Sequence, residues 1–328
     1  MNLIINQSHN PAFNLALEEY LLESTELDLI MLWRNSKAVI IGNNQNAVEE
    51  IDADYVRERE IAVVRRQSGG GAVFHDLGNI NFTIIHQNGV DDQSFGGYRA
   101  FTAPVCGYLE TLGVKAEFSG RNDLVIDGKK FCGNAQALKK NRIMHHGCIL
   151  FDADFTDLAG ALKPKAEKIE SKGIKSVRSR VTNVGTHLGS PMTPEAFMDG
   201  LADYFRANVE GIRDYALTAG DITGAQALAD EKHARWEWNF GKSPPYNWEN
   251  SGRYPFGGVD VRLNVKAGVI EQAHLFGDFF GMADKSELEA ALCGIPHRRG
   301  ALESALAQRD IGRYIQGMTR AELLDLLY

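Results

Sequence analysis

Arg65-Arg66-Gln67-Ser68-Gly69-Gly70-Gly71-Ala72-Val73-Phe74-His75-Asp76 concentrates residue types that hold anions. Arginine brings a permanent charge and a planar fork of donors that matches phosphate or carboxylate. Glycine lets backbone N–H groups come close to a ligand, and successive exposed N–H groups form an anion nest. The preceding Ile61-Ala62-Val63-Val64 reads as a buried strand, so the glycines fall where a strand ends, a common meeting place of ligands and sheets. A plain tight turn would use the same glycines, but the arginine pair before them and His75-Asp76 after them favour a ligand loop. The ordinary phosphate fingerprints, G-x-x-x-x-G-K-[ST] and a strand-linked G-x-G-x-x-G, are absent. A bound nucleotide would need a different architecture.

A second constellation follows. Asp127-Gly128, between an apolar run and Lys130-Phe131-Cys132, predicts a hairpin that brings Asn122-Asp123 close to Lys130. The carboxylate and the lysine would form either a structural cross-strand pair or a place for Mg²⁺, held by Asp123 opposite a phosphate-binding lysine. His145-His146-Gly147-Cys148-Ile149-Leu150 reads as a further strand. Its two histidines would point to opposite faces, and neither C-x-x-C nor H-E-x-x-H accompanies them, so zinc is disfavoured.

With these stretches in view, the chain resembles the lipoate-protein ligases of the A type. The resemblance is carried by Arg65-Arg66-x-Ser68-Gly69-Gly70-Gly71-Ala72-Val73-Phe74-His75-Asp76-x-Gly78-Asn79, by Gly120-Arg121-Asn122-Asp123-Leu124, by Lys130-x-x-Gly133-x-Ala135 and by His145-His146-Gly147. Trp33-Arg34 and Gly42-x-x-Gln45-Asn46 add to it upstream, as do Lys172-Gly173-Ile174-x-Ser176-Val177-Arg178-Ser179-Arg180-Val181-x-Asn183 and Trp236-x-Trp238-Asn239 downstream. Together they cover almost the whole chain in the family's order.

The resemblance implies that lipoate attacks the α-phosphate of ATP to give lipoyl-AMP and pyrophosphate, and that the acyl group then passes to a protein lysine. The acceptors it implies are apo lipoyl domains of 2-oxoacid dehydrogenases and the glycine-cleavage H protein. Carried over by position, Lys130 is the catalytic lysine; Arg66, Gly70, Gly71, Ala72, Val73, Phe74, His75, Asn79 and Lys130 bind ATP or lipoyl-AMP; Ser68, Gly69, Gly70, Lys130 and His146 bind lipoate; Asp123 holds Mg²⁺. The chemistry is consistent with that assignment. Joining a carboxylate to a triphosphate brings like charges together, so the site must supply cations and N–H dipoles where charge gathers.

The lipoyl tail needs an apolar slot, and Ile40, Ile41, Val73, Phe82 and Ile84 are candidates for its walls. Rival readings are a biotin-protein ligase, whose glycine loop carries more arginines, an octanoyltransferase, whose cysteine would lie where Gly120-Arg121 stands, and a non-catalytic lipoyl-domain binder, against which Lys130 and the intact glycine loop speak. Cys132 and Cys148 replace the family's usual serine and threonine and read as small core substitutes. If their strands are adjacent, a disulfide there would distort the site and confer mild oxidant sensitivity.

Composition sets the frame. A chain of 328 residues with 44% hydrophobic content supports one large core and a second small domain. The four cysteines lack paired spacing, the first residues lack a basic, apolar leader, and no apolar run approaches a membrane span, so the expectation is a cytoplasmic protein. A net charge of −8 disfavours nucleic acid.

The elements that must position these residues are legible. Strands are expected at 3–6, 29–33, 38–41, 61–65 and 81–85, with helices from Pro11 (capped by Asn10) to about Glu23, at 52–59, at 98–112 and at 194–207. Regular βαβ alternation is missing, which predicts an α+β fold: a mixed, largely antiparallel sheet flanked by helices. Trp236 to Tyr254 reads as a linker or domain crossing. Beyond it, strands at 259–265 and 270–276 and helices at 288–292, 301–306 and 321–327 predict a small α+β domain. The expected division is a catalytic domain over 1–243 and an accessory domain over 244–328, which by resemblance closes over the active site and swings after adenylate formation.

Overall fold

The computed structural model describes residues 1–87, 97–120, 122–162, 179–241 and 246–328. Its strands are β1 (Asn2–Ile5), β2 (Leu29–Trp33), β3 (Ala38–Ile41), β4 (Ala62–Arg65), β5 (Val73–His75), β6 (Asn79–Gln87), β7 (Glu117–Ser119), β8 (Asp123–Ile126), β9 (Lys129–Lys139), β10 (Arg142–Leu150), β11 (Arg213–Asp214), β12 (Trp248–Tyr254), β13 (Gly257–Lys266) and β14 (Val269–Gly277). The large sheet runs β11-β1-β2-β6-β10-β9-β8-β7 and is parallel only at β11-β1-β2. The mixed, largely antiparallel α+β arrangement is therefore the one the element order predicts.

Strand parity decides what each face of this sheet does. Gly133, Cys148, Asn81 and Trp33 stand in one row across β9, β10, β6 and β2, so their side chains share a face. Their neighbours Cys132, Ile149 and Phe82 share the other face, together with Ile84, and bury there with Val105, Leu109, Phe197 and Leu201 from the helices Tyr98–Thr111 and Pro194–Asn208. That face is the main core. The first face instead meets the helix Pro11–Ser24, whose Glu18 reaches Thr83 and His146. Asn10 caps this helix, accepting from the N–H groups of Ala12 and Phe13 at 3.0 and 3.2 Å, with Pro11 in the first turn where its missing N–H costs nothing.

The small sheet β4-β3-β5 carries the glycine loop between β4 and β5. A third sheet, β12-β13-β14, packs with the helices Lys285–Leu292, Arg299–Leu306 and Arg320–Leu327 around a core of its own. The described parts of 236–254 are more structured than a linker: Trp236–Asn239 is a helical turn, and Trp248–Tyr254 is an edge strand of the third sheet. Its polar composition and half-exposed alternation hid it, because an edge strand buries little.

Candidate active site

Lys130 reaches the cavity face because β9 carries a bulge. The pairing of β8 with β9 runs Asp123↔Gly133, Leu124↔Cys132 and then Val125↔Lys130, which leaves Phe131 as an extra residue. Phe131 and Cys132 both bury in the main core, and the parity of the strand then restores Lys130 to the side of Gly133. Without the bulge, residues three apart would face opposite ways. The hairpin turn is Asp127-Gly128, with φ of 50° and 74°, as its sequence predicts. Lys130 Nζ lies 2.8 Å from Asp123 Oδ1, and both side chains stay about a third exposed. A Cβ on Gly133 would sit 2.8 Å from that Nζ, so the glycine makes the space the ammonium occupies.

Beside Lys130 lies a cavity of about 140 Å³ lined by Arg66, Gly70, Gly71, Ala72, Val73, His75, Lys130 and His146, with Leu15, Trp33, Ile40, Asn81 and Phe280 completing much of the wall. Of the expected apolar wall residues, Ile40 and Val73 line it. Phe82 and Ile84 face the main core and Ile41 packs in another cluster, each turned away by strand parity.

The two arginines have different tasks. Arg65 is fully buried and donates to the carbonyls of Gly42, Gln45, Trp238 and Asn239 at 2.7–2.9 Å, tying one loop to the 236–239 turn. Arg66 turns to the cavity side. Its Nε donates to Ser68 Oγ at 2.9 Å, Nη1 to Ile40 O at 3.1 Å, and Nη2 to Gly69 O and Gly71 O at 2.7 and 2.8 Å. One N–H on Nη1 is left. Burial lowers both guanidinium pKa values to about 10, still far above neutrality. Because each peptide is planar and trans, pulling the Gly71 carbonyl toward Arg66 turns the Ala72 N–H away from it. Arg66 thereby shapes the nest as well as charging it. Gly70 adopts φ +90°, open to glycine at little cost, and its N–H meets Phe279 O at 3.3 Å.

His146 is held between Ser68 Oγ (2.7 Å from Nε2) and Glu18 Oε1 (2.9 Å from Nδ1), and Glu18 in turn accepts from Thr83 Oγ1 at 2.6 Å. His145 faces the other side, stacked on Phe101 at 4.7 Å between ring centroids, so the two histidines do point apart. Asn79 donates to Phe74 O at 3.2 Å and accepts from Asp76 N at 3.3 Å, which sets it behind the β5 turn, and the Phe74 side chain is buried in a neighbouring cluster. These two act on the cavity through the backbone they fix.

Cys132 and Cys148 lie on adjacent strands but on opposite faces, which removes the geometric basis for a disulfide between them. Burial pushes the Cys148 thiol up to about 12 and the Cys132 thiol well above its usual value, so neither offers a reactive thiolate at neutral pH. Glu18, Asn35, Asn81 and Phe280 were not singled out from the sequence. Asn81 had a signal, since a polar residue recurring at period two with Thr83 inside an apolar strand marks a non-core face. The motif residues Lys172 to Arg178, Arg121 and Pro244-Pro245 lie outside the described residues. Among the described residues, no group of three or more His, Cys, Asp or Glu side chains gathers as a metal site.

Comparison with known proteins places this geometry among relatives. The family model described as the lipoyl protein ligase A/B catalytic domain matches residues 10–206, and that of the bacterial lipoate protein ligase C-terminus matches residues 243–327. The lipoate-protein ligase LplJ of Bacillus subtilis (strain 168) is 45% identical over 333 residues, covering 100% of both chains. A bi-partite lipoate protein ligase of Thermoplasma acidophilum, from a structural analysis of that ligase and its E2 lipoyl domain, superposes with a TM-score of 0.66 at 30% identity, over 75% of this chain and 98% of that one. A lipoate-protein ligase A bound with ATP gives 0.63 at 28% identity, over 73% of this chain and 98% of that one.

Proposed function

The chain belongs to the lipoate-protein ligases, and from that membership we propose that it activates free lipoate with ATP to lipoyl-AMP and transfers the lipoyl group to a lysine of an apo lipoyl domain or of the glycine-cleavage H protein. The observation that carries the reading is the placing of Lys130 Nζ, paired with Asp123, at the mouth of a cavity shared with the Arg66-organised glycine loop. Residues 1–243 would form the catalytic domain and 244–328 the accessory domain, each supported by its own apolar core. The setting we propose is the cytoplasm; among the described residues no helix is long and apolar enough to cross a membrane.

In the first step the lipoate carboxylate is the nucleophile, so the protein needs no nucleophile of its own. Lys130 neutralises the meeting of carboxylate and α-phosphate, and the turned-out N–H groups of the glycine loop receive phosphate oxygens. Arg66 keeps that loop in shape and lends its charge from behind. Asp123 suits Mg²⁺, a hard cation that takes one or two carboxylates plus phosphate oxygens and would neutralise the departing pyrophosphate. In the second step AMP leaves as the acceptor amine attacks the acyl carbon, and Lys130 faces the oxyanion that develops. His146 and Ser68 hold the wall between the two.

Lys130→Ala tests the reading. The variant should fold normally, because the side chain is about a third exposed and, among the described residues, pairs with the equally exposed carboxylate of Asp123, while lipoyl-AMP formation falls by at least about a hundredfold. Retained adenylate synthesis would remove Lys130 from the chemistry.

A further inference from the structure

His75 and Asn81 line the cavity, are 4% and 1% exposed, and carry buried polar atoms without a hydrogen-bond partner: Nε2 of His75 and both Nδ2 and Oδ1 of Asn81. Such orphans are costly in an apolar surround, so a ligand that accepts from the donors among them is preferred to one that does not.

The direction of the His75 donor is fixed by a chain of amides. Ser8 N–H donates to Asn6 Oδ1 at 3.1 Å, Asn6 Nδ2 to Asn14 Oδ1 at 2.9 Å, and Asn14 Nδ2 to Asn35 Oδ1 at 2.8 Å. That leaves Asn35 Nδ2 to donate to His75 Nδ1 at 3.1 Å. Burial, helped by the nearby Arg66 and His146, lowers the His75 pKa to about 3, so the ring is neutral and bears one proton. With Nδ1 accepting, the proton sits on Nε2, and an N–H is presented to the cavity.

Asn81 stands in the row Gly133, Cys148, Asn81, two strands from Gly133, which places it about 10 Å from the position that Lys130 Nζ shares with that glycine. A lipoate whose carboxylate meets Lys130 would carry its ring at roughly that depth. We propose that His75 Nε2–H and Asn81 Nδ2 form a recognition point for the dithiolane sulfurs, so that the enzyme selects lipoate over octanoate. The inference rests on the ligase reading. Divalent sulfur is a soft, weak acceptor that suits such donors, whereas an alkyl tail leaves both orphaned.

The test compares kcat/KM for ATP-dependent activation, read as pyrophosphate release, of lipoate, octanoate and cyclopentyl-pentanoate, whose carbocycle keeps the ring and removes both sulfurs. Lipoate should exceed the other two by about tenfold, the scale of two weak hydrogen bonds. Asn81→Leu should bring the ratio of the lipoate value to the carbocycle value toward one, whatever it does to the absolute rates. Equal use of lipoate and the carbocycle by the unaltered enzyme would overturn the proposal, and that comparison decides it even where the variant fails to fold. Turnover of none of the three acids would instead overturn the ligase reading.

Discussion

Lys130 owes its place to one inserted residue, the bulge at Phe131, and to the missing side chain of Gly133. Gly133→Ala should therefore leave the fold intact, since the atom its Cβ would strike is the tip of a flexible side chain. It should displace the ammonium from Asp123 and, given the role proposed for Lys130, reduce lipoyl-AMP formation by about tenfold or more, because a small misplacement of a catalytic group is expensive. Circular dichroism beside an adenylation assay separates the two effects. A fully active Gly133→Ala enzyme would show that the ammonium tolerates another position. At this scale the lysine, its carboxylate partner and the glycine loop were legible in the sequence, because turn and nest chemistry demand those residue types. The division of labour between Arg65 and Arg66 was not, since which of two adjacent strand residues faces a cavity depends on the sheet around them. Strand parity likewise sets Cys132 and Cys148 on opposite faces, and Cys148 should resist alkylation at neutral pH in the folded enzyme, a point that mass spectrometry after iodoacetamide treatment checks.

Among the elements, the turn Ala229–His233 with the helical turn Trp236–Asn239 is bolted to the catalytic unit from two sides. Arg65 holds the carbonyls of Trp238 and Asn239, and Glu19 accepts from Lys232 Nζ at 2.7 Å and from His233 Nε2 at 2.7 Å. Burial alone would raise the Glu19 pKa, but the hydrogen bonds from His233 and Lys232 outweigh it and hold the carboxyl near 2, below its ordinary 4.5. A depressed carboxylate stabilises the fold above the unfolded value and ceases to do so as the pH falls through the folded one. Glu19→Gln should thus cost on the order of 3 kcal/mol at pH 7, and the difference from the unaltered protein should shrink between about pH 4.5 and pH 2. Chemical denaturation across that range measures it; a pH-independent difference would assign the loss to packing. Helix starts, the hairpin and most strands of the large sheet followed from caps, turn residues and period. The edge strand Trp248–Tyr254 did not, because its stability comes from pairing with β13 rather than from an apolar face of its own.

Across the whole molecule, the C-terminal unit is seated on the glycine loop itself. Gly277 N–H donates to Asn44 O at 2.9 Å, Gly70 N–H to Phe279 O at 3.3 Å, Arg262 pairs with Glu49, and Phe280 closes part of the cavity. A Cβ on Gly69 would lie 2.4 Å from Phe279 O, so the loop's glycines also admit this close seat. Phe280 lies outside the core of that unit, which contains Phe279. Phe280→Ala should accordingly leave that core folded and loosen the seat, which small-angle scattering would record as a larger radius of gyration; an unchanged radius would show that the polar contacts suffice. The presence of two units and the α+β class could be read from composition and element order. The contact between them could not, since it rests on backbone atoms of a loop and on one aromatic side chain. The account as a whole turns on one reaction, tested by intact-protein mass spectrometry of an apo lipoyl domain incubated with this enzyme, lipoate, ATP and Mg²⁺. It predicts a lipoyl mass gain that requires ATP and disappears with Lys130→Ala. A gain of octanoyl mass from an octanoyl carrier protein without ATP, or lipoylation undiminished in that variant, would contradict it.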